Sequence, residues 1–213
     1  PCLSHYGYLG LQIATRGERL HASLARKDRG AVGAMLKALL GLTGHLEKSR
    51  PEVVFNVRDL NSAQAGFAMP EECGAWLDIH LPASASATDL VMEIEEVIRR
   101  ERKAAGSARV TFHFETVHSG YVIPEKGPVV EALKAAFRER GHSWEPSPFP
   151  SHSDANILYH AGCKPIVLGP GRLEKAHRPD ESISFTQVFQ AAELYYLIGL
   201  NLLETFRNNN PGR

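Results

Sequence analysis

Hydrophobic and polar positions alternate with two different periods along the first 118 residues. Tyr6 to His21 reads as an extended segment that turns at Gly17. Val32, Met35, Leu36, Leu39 and Leu40 then follow helical spacing and put one apolar face on a helix of about four turns. Val53-Val54-Phe55-Asn56-Val57 is β-rich. Trp76 to Leu81 alternates, with Trp76, Asp78 and His80 on one face and Leu77, Ile79 and Leu81 on the other. Ser86 with Asp89 three residues on is the acidic form of a capping box. It opens a helix with Leu90, Ile94, Val97 and Ile98 as its stripe. Arg109 to Thr116 alternates again, with Val110, Phe112 and Phe114 together. The order strand, helix, strand, strand, helix, strand is the split βαβ pattern of a ferredoxin-like sandwich, a sheet covered on one face by two helices.

Beyond residue 118 the pattern changes. Pro128 suits the first turn of a helix and Gly141 its C′ position, with Val129, Val130, Leu133 and Phe137 as the apolar stripe. A Pro- and Ser-rich connector, Glu145 to Pro150, leads to a short helix from Ser153 to Gly162. A buried strand is expected at Pro165–Leu168. Ser184 and Gln187 cap a long apolar helix, Val188 to Leu203, and the tail from Asn208 to Arg213 is expected to fray. This block supplies too little sheet for an α/β domain of its own, since a parallel sheet needs partner strands and helices on both faces. The expected organisation is therefore a ferredoxin-like lid, residues 1–118, followed by residues 119–213 as the C-terminal part of an α/β domain. The N-terminal part of that domain would lie upstream of Pro1 or in another polypeptide, and Pro1-Cys2-Leu3 reads as the middle of something.

Charge narrows the function classes. The 213 residues hold 24 basic and 24 acidic side chains, a formal balance of zero. A nucleic-acid or anionic-membrane surface would need an excess of Lys and Arg, and the sheet lacks an aromatic, basic RNA-binding face. No apolar run reaches the ~20 residues needed to span a bilayer, and no signal peptide is visible. Cys2, Cys73 and Cys163 show no CxxC spacing, so incidental thiols in a reducing, cytoplasmic compartment are expected.

The chemistry concentrates in four short stretches. These are Gly17-Glu18-Arg19-Leu20-His21-Ala22-Ser23, Ser151-His152-Ser153-Asp154-Ala155-Asn156, the Gly169-Pro170-Gly171 loop after Pro165–Leu168, and Ala176-His177-Arg178-Pro179-Asp180-Glu181. Strand-end loops are where α/β sheets place ligands, and imidazole is a common metal ligand. On its own each feature has a plainer reading: an exposed loop histidine, a carboxylate at a helix N-terminus, a strand-end imidazole bonded to backbone.

Together, their order and spacing resemble the di-zinc aminoacylase and carboxypeptidase superfamily (acetylornithine deacetylase, succinyl-diaminopimelate desuccinylase, carboxypeptidase G). The resemblance covers residues 6 to about 205. It implies that His177 is the last zinc ligand, and that Asp154, Asn156, Gly169 and Gly171 lie at the substrate. It implies that His21 reaches across a homodimer and donates a hydrogen bond to the carbonyl under attack. It also implies a cofactor of two zinc ions, with cobalt or manganese as substitutes.

Several positions depart from the family. Asn156 stands where several relatives carry a carboxylate-binding Arg, His152 replaces a common Gly, and Phe67 stands where an Asn often precedes a hydrophobic-Pro pair, here Met69-Pro70. His80 falls where relatives often have an Arg, and could replace it as a carboxylate donor or be an exposed strand residue only. The other zinc ligands and the general base have no counterpart in these residues. Glu71-Glu72 and Glu95-Glu96 fit solvated faces instead.

Two functions follow. The first is a portion of a zinc-dependent metallohydrolase, homodimeric through its lid, that cleaves amide or peptide bonds of N-acyl amino acids or small peptides and is inactive as this chain alone. The alternative is a non-catalytic homodimerising remnant of that family.

Overall fold

The computed structural model describes residues 1–26, 29–63 and 65–209. In chain order the elements are β1 (Cys2–His5), β2 (Gly7–Arg16), α1 (Ala31–Ser49), β3 (Val54–Ser62), β4 (Glu72–Leu81), α2 (Ala87–Ala104), β5 (Arg109–His118), β6 (Tyr121–Val122), α3 (Pro128–Glu139), β7 (Ser147–Phe149), α4 (Asp154–His160) and α5 (Phe185–Asn209). They form two compact units. One comprises residues 5–121 with 150–163, the other residues 1–4, 122–149 and 164–213.

In the first unit an antiparallel sheet runs in the order β3-β4-β2-β5. With α1 joining β2 to β3 and α2 joining β4 to β5, this is the expected ferredoxin-like sandwich. Its cause is visible in β4, where Cys73, Ala75, Leu77, Ile79 and Leu81 are buried and the residues between them are not. They pack with Leu9, Leu11 and Ile13 of β2 and with Leu90, Ile94, Val97 and Ile98 of α2. Each large side chain so buried contributes roughly 1.5–3 kcal/mol. The Ser86 Oγ accepts the Asp89 N–H at 3.2 Å, closing the predicted cap.

Helix α1 differs from expectation. Its buried face is Ala31, Ala34, Met35, Ala38, Leu39, Leu42 and Leu46, whereas Leu36 and Leu40 point away and Leu40 is 72% exposed. Three alanines on the inner face allow close approach to the sheet and rotate the two leucines outward. Strand β2 ends at Arg16 because Gly17 is pressed against the start of α1, where a Cβ would lie 2.4 Å from the Arg29 carbonyl.

In the second unit α3 packs on α5 around Leu133, Ala136, Phe137 and Leu194. Pro128 begins α3, and Gly141 follows it in the left-handed region (φ 67°). The N–H groups of Gly141 and His142 return to the Arg138 and Phe137 carbonyls, a Schellman ending. Val129, expected in the stripe, is exposed, and Ala132 and Ala136 take its place.

A three-stranded sheet has the order β6-β1-β7, and all three strands arise where none was expected. Pro165–Leu168 is half-buried and not a strand. Val167 makes one antiparallel bridge, to Cys2, and an extended run needs neighbours on both sides to become a buried strand. Helix α5 starts earlier than expected and continues through Asn208 and Asn209. The rest of the expected frayed tail, residues 210–213, lies outside the described residues. Among the described residues no helix is long and apolar enough to cross a membrane.

Candidate functional site

His177 lies in the second unit, exposed, two residues past a short 3-10 turn, Leu173–Lys175. Among the described residues it is the only non-glycine one at positive φ, 61°. That conformation crowds Cβ against the backbone, and something must hold it. The following turn does so. Glu181 Oε2 accepts the His177 N–H at 3.0 Å, and the Glu181 N–H bonds the Arg178 carbonyl at 3.0 Å. The Pro-Asp-Glu segment thus fixes the backbone that presents the imidazole.

The glycine loop belongs to the same unit. Gly171 has φ 100°, closed to side chains, and the Tyr195 hydroxyl donates to the Leu168 carbonyl at 2.8 Å, pinning the approach to the loop. Gly169, Pro170 and Gly171 border a cavity of about 220 Å³ with Leu168, Leu194 and Tyr195.

His21 lies in the first unit, exposed, as the N-cap of a 3-10 turn, Ala22–Leu24. Its Nδ1 accepts the Ser23 N–H at 3.3 Å and is 2.8 Å from the Ser23 hydroxyl. An acceptor Nδ1 carries no proton, so in the neutral ring Nε2 is the N–H and is free to donate outward. The backbone is anchored by Ala22 N–H to the Phe67 carbonyl and Met69 N–H to the Leu20 carbonyl, both at 2.7 Å. Phe67 is 88% exposed in the loop that anchors His21.

Asp154 is exposed in the first turn of α4, while Asn156 is fully buried and saturated. Asn156 Oδ1 accepts the Ser153 N–H (3.1 Å), and its Nδ2 donates to the carbonyls of Tyr6 (2.9 Å) and Ser119 (3.1 Å). With Ser153 it forms a capping box, which leaves no group turned toward a ligand.

His80 joins a group of aromatic rings on the open face of the sheet. Tyr8 pairs with His80 on one side and His118 on the other. His152 stacks on Tyr8 at 4.9 Å and on His118 at 5.0 Å, with His118 Nδ1 2.8 Å from His152 Nε2. His160 lies 6.1 Å from His118. His5 is buried, its Nε2 2.8 Å from the Ser153 hydroxyl.

Burial pushes His152 below the ordinary imidazole value, and His118, His5 and His80 push it the same way against Asp154. Burial also lowers His118, aided by His160, and lowers His80 against the pull of Asp78. His80 Nδ1 is buried without a hydrogen-bond partner among the described residues.

Among the described residues no group of three or more His, Cys, Asp or Glu could hold a metal ion. Zinc takes about four ligands. One exposed imidazole, His177, does not make such a site, so the residues described here do not fit a complete metal centre.

A family model described as peptidase family M20/M25/M40 matches residues 13–201, which includes the His21 turn, the glycine loop and His177. The chain belongs to this family. It is 26% identical to acetylornithine deacetylase of Edwardsiella ictaluri over 196 residues, 86% of this chain and 49% of that protein. It is 25% identical to N-formyl-4-amino-5-aminomethyl-2-methylpyrimidine deformylase of Halalkalibacterium halodurans over 201 residues, 83% of this chain and 47% of that protein. A tripeptidase from Staphylococcus aureus superposes with a TM-score of 0.75 over 94% of this chain and 53% of its own, at 18% identity, a likeness of fold. This M20-family chain thus spans about half the length of the curated relatives it matches.

His5, Tyr8, His118 and His160 carry no spacing signal, and sequence reasoning missed them. They come one each from β1, β2, β5 and α4, and only the fold assembles them.

Proposed function

We propose that this chain forms the lid and the C-terminal catalytic segment of a zinc-dependent metallohydrolase. It would cleave the amide or peptide bond of N-acyl amino acids or small peptides. The reading is carried by one observation: a single family match spans both the turn that exposes His21 and the glycine loop followed by His177. The similarity to a deacetylase and a deformylase points the same way.

His177 would supply one zinc ligand, and the remaining ligands and the general base would come from outside these residues. Zinc, when bound, would supply Lewis-acid chemistry. His21 has its own part: Nε2–H, oriented by the Ser23 bond on Nδ1, donates to the scissile carbonyl of the partner's site. Such donors are worth ~3 kcal/mol in the transition state. Asp154 and His80 would contact the substrate's polar groups, and Gly169 and Gly171 would let it approach the loop closely.

The partnership is a homodimer through the edge of β3. This strand pairs only with β4 among the described residues and exposes Val54, Val57 and Leu60, and α1 exposes Leu36 and Leu40. Unpaired edges of this kind take a second copy readily.

The test uses the full-length protein with N-acetyl amino acids and tripeptides, together with zinc analysis. The expected result is hydrolysis with bound zinc, loss of one zinc equivalent in His177→Ala, and a lowered kcat in His21→Ala with zinc retained. Full activity in His177→Ala would end the reading, and a metal-free, inactive dimer would favour a non-catalytic family remnant.

A further inference from the structure

The imidazoles on the open face of the sheet reach one another through a change in strand register. Strand β5 pairs Thr116 with Gly10 and Phe114 with Leu11, leaving Glu115 as an extra residue. Side chains beyond this bulge change face. His118 therefore stands on the Tyr8 and His80 side of the sheet, away from the helices that Phe112 and Phe114 face. His152, just before α4, then lies over both Tyr8 and His118.

A 2.8 Å contact between His118 Nδ1 and His152 Nε2 requires one proton between them. Two neutral rings carry two protons, so one lies in the contact and the other on a single outer nitrogen. Adding a third proton places N–H on both outer nitrogens, His118 Nε2 and His152 Nδ1, and gives the pair one shared positive charge. A fourth would set two N–H groups against each other and break the contact. Neither outer nitrogen has a protein hydrogen bond among the described residues. We propose that His118 and His152 form a receptor for one small oxyanion, a carboxylate or a phosphate, which binds together with one proton.

The surrounding charges come from every packed element. Burial first, and then His5 of β1, His80 of β4 and His160 of α4, resist a further positive charge on the pair. Asp154 of α4 favours the proton on His152. Asp78 of β4 is already occupied by the Tyr8 hydroxyl, the Trp76 N–H and Arg58 of β3, and competes little. The pair is therefore neutral near pH 7 without a ligand, and an anion supplies the charge that draws the proton in. Every residue used lies in one unit and no metal takes part; Asp154 and His80 are shared with the hydrolase reading, but anion binding is read without hydrolysis or zinc, so the two can fail separately.

Calorimetry with sodium acetate and with inorganic phosphate tests it, in two buffers of different ionisation heat. Acetate does not titrate near neutrality. At about pH 7 it should bind with uptake of about one proton, and its affinity should fall about tenfold per pH unit above that. The stronger of the two anions identifies the ligand class. His118→Phe and His152→Phe, which retain a ring for stacking, should abolish the uptake and weaken binding at least tenfold. In the wild-type chain, acetate at about pH 7 should move the ring nitrogen resonances of two histidines toward the protonated pattern. Binding without proton uptake, no binding of either anion, or resonances that stay unchanged would overturn the proposal, and the last reading needs no variant to fold.

Discussion

The Tyr8 hydroxyl donates to Asp78 Oδ1 across 2.6 Å, on a face cleared by Gly10, where a Cβ would come within 3.3 Å of the Tyr8 ring. Trp76 Nε1 and Arg58 Nη1 converge on the same oxygen, at 3.1 and 3.2 Å. The guanidinium carbon of Arg58 lies 4.2 Å from the Trp76 ring centroid. Asp78 therefore keeps two donors when one is lost, and Tyr8→Phe should cost about 1.5 kcal/mol, the low end for a bond to a charged acceptor. Urea unfolding measures it. Burial, followed by the Asp78 bond, also holds the Tyr8 phenol above its ordinary value, against Trp76 and Arg58. The ultraviolet titration of Tyr8→Phe should lose one tyrosine that ionises above the ordinary phenol value.

Asn156 illustrates a cost of a different kind. Its amide joins Ser153, Tyr6 and Ser119, three points of the chain that meet only in the fold. Asn156→Ala strands two carbonyls and one N–H in a buried place, and should cost about 3 kcal/mol. Asn156→Asp should be worse, because a carboxylate cannot donate to the two carbonyls. Thermal unfolding of both variants ranks them, and an Asn156→Ala chain as stable as wild type would refute the anchor.

The same residue shows what was legible in the sequence. The βαββαβ order could be read because one face of each element is buried, and burial writes period 2 into strands and period 3.6 into helices. Leu36 and Leu40 were misplaced because three alanines, weak hydrophobic signals, define the inner face of α1. His118 could not be placed because the bulge at Glu115 reverses the face without marking the sequence. Pro165–Leu168 has the composition of a buried strand, yet strand pairing depends on neighbours that composition does not name. The motifs around His21 and His177 were legible because each is a contiguous turn of the chain. The imidazole group was not, since its members come from residues 5, 80, 118, 152 and 160.

Glu93 links the two helices of the first unit. Its Oε1 lies 2.5 Å from His45 Nε2 and its Oε2 2.8 Å from Arg50 Nε. Burial pushes its carboxyl up, but the bonds from Arg50 and His45 together outweigh burial and hold it below the ordinary value. A carboxylate with a depressed folded value contributes stability that is present above its unfolded value, 4.5. It is lost as pH falls through the folded value. Glu93→Gln should therefore cost about 1 kcal/mol at neutral pH, discounted because Arg50 is partly open to solvent. That difference should shrink as pH falls below 4.5, as urea midpoints at several pH values would show; a constant difference would argue against the pairing.

The outward leucines give a direct test of the proposed dimer. Leu40 is 72% exposed on α1, and β3 has one free edge among the described residues. Leu40→Glu changes a side chain that is mostly exposed, so the fold should persist while association through this face weakens at least tenfold. Light scattering over a concentration series reads the change. An unaltered dimer would place the contact elsewhere.

His177 separates backbone strain from chemistry. A single residue at φ 61° costs an L side chain roughly 1–2 kcal/mol, and glycine avoids it. His177→Gly and His177→Ala both remove the imidazole, so a metal-binding role predicts equal loss of zinc in the full-length protein. They differ in strain alone. The glycine variant should be the more stable of the two by about 1 kcal/mol, and at least as stable as wild type in the absence of metal. Chemical unfolding with a chelator present makes that comparison. If the alanine variant matched the glycine one, His177 would not be held in the left-handed region in solution, and the turn that ends in Glu181 would not be what presents the ring.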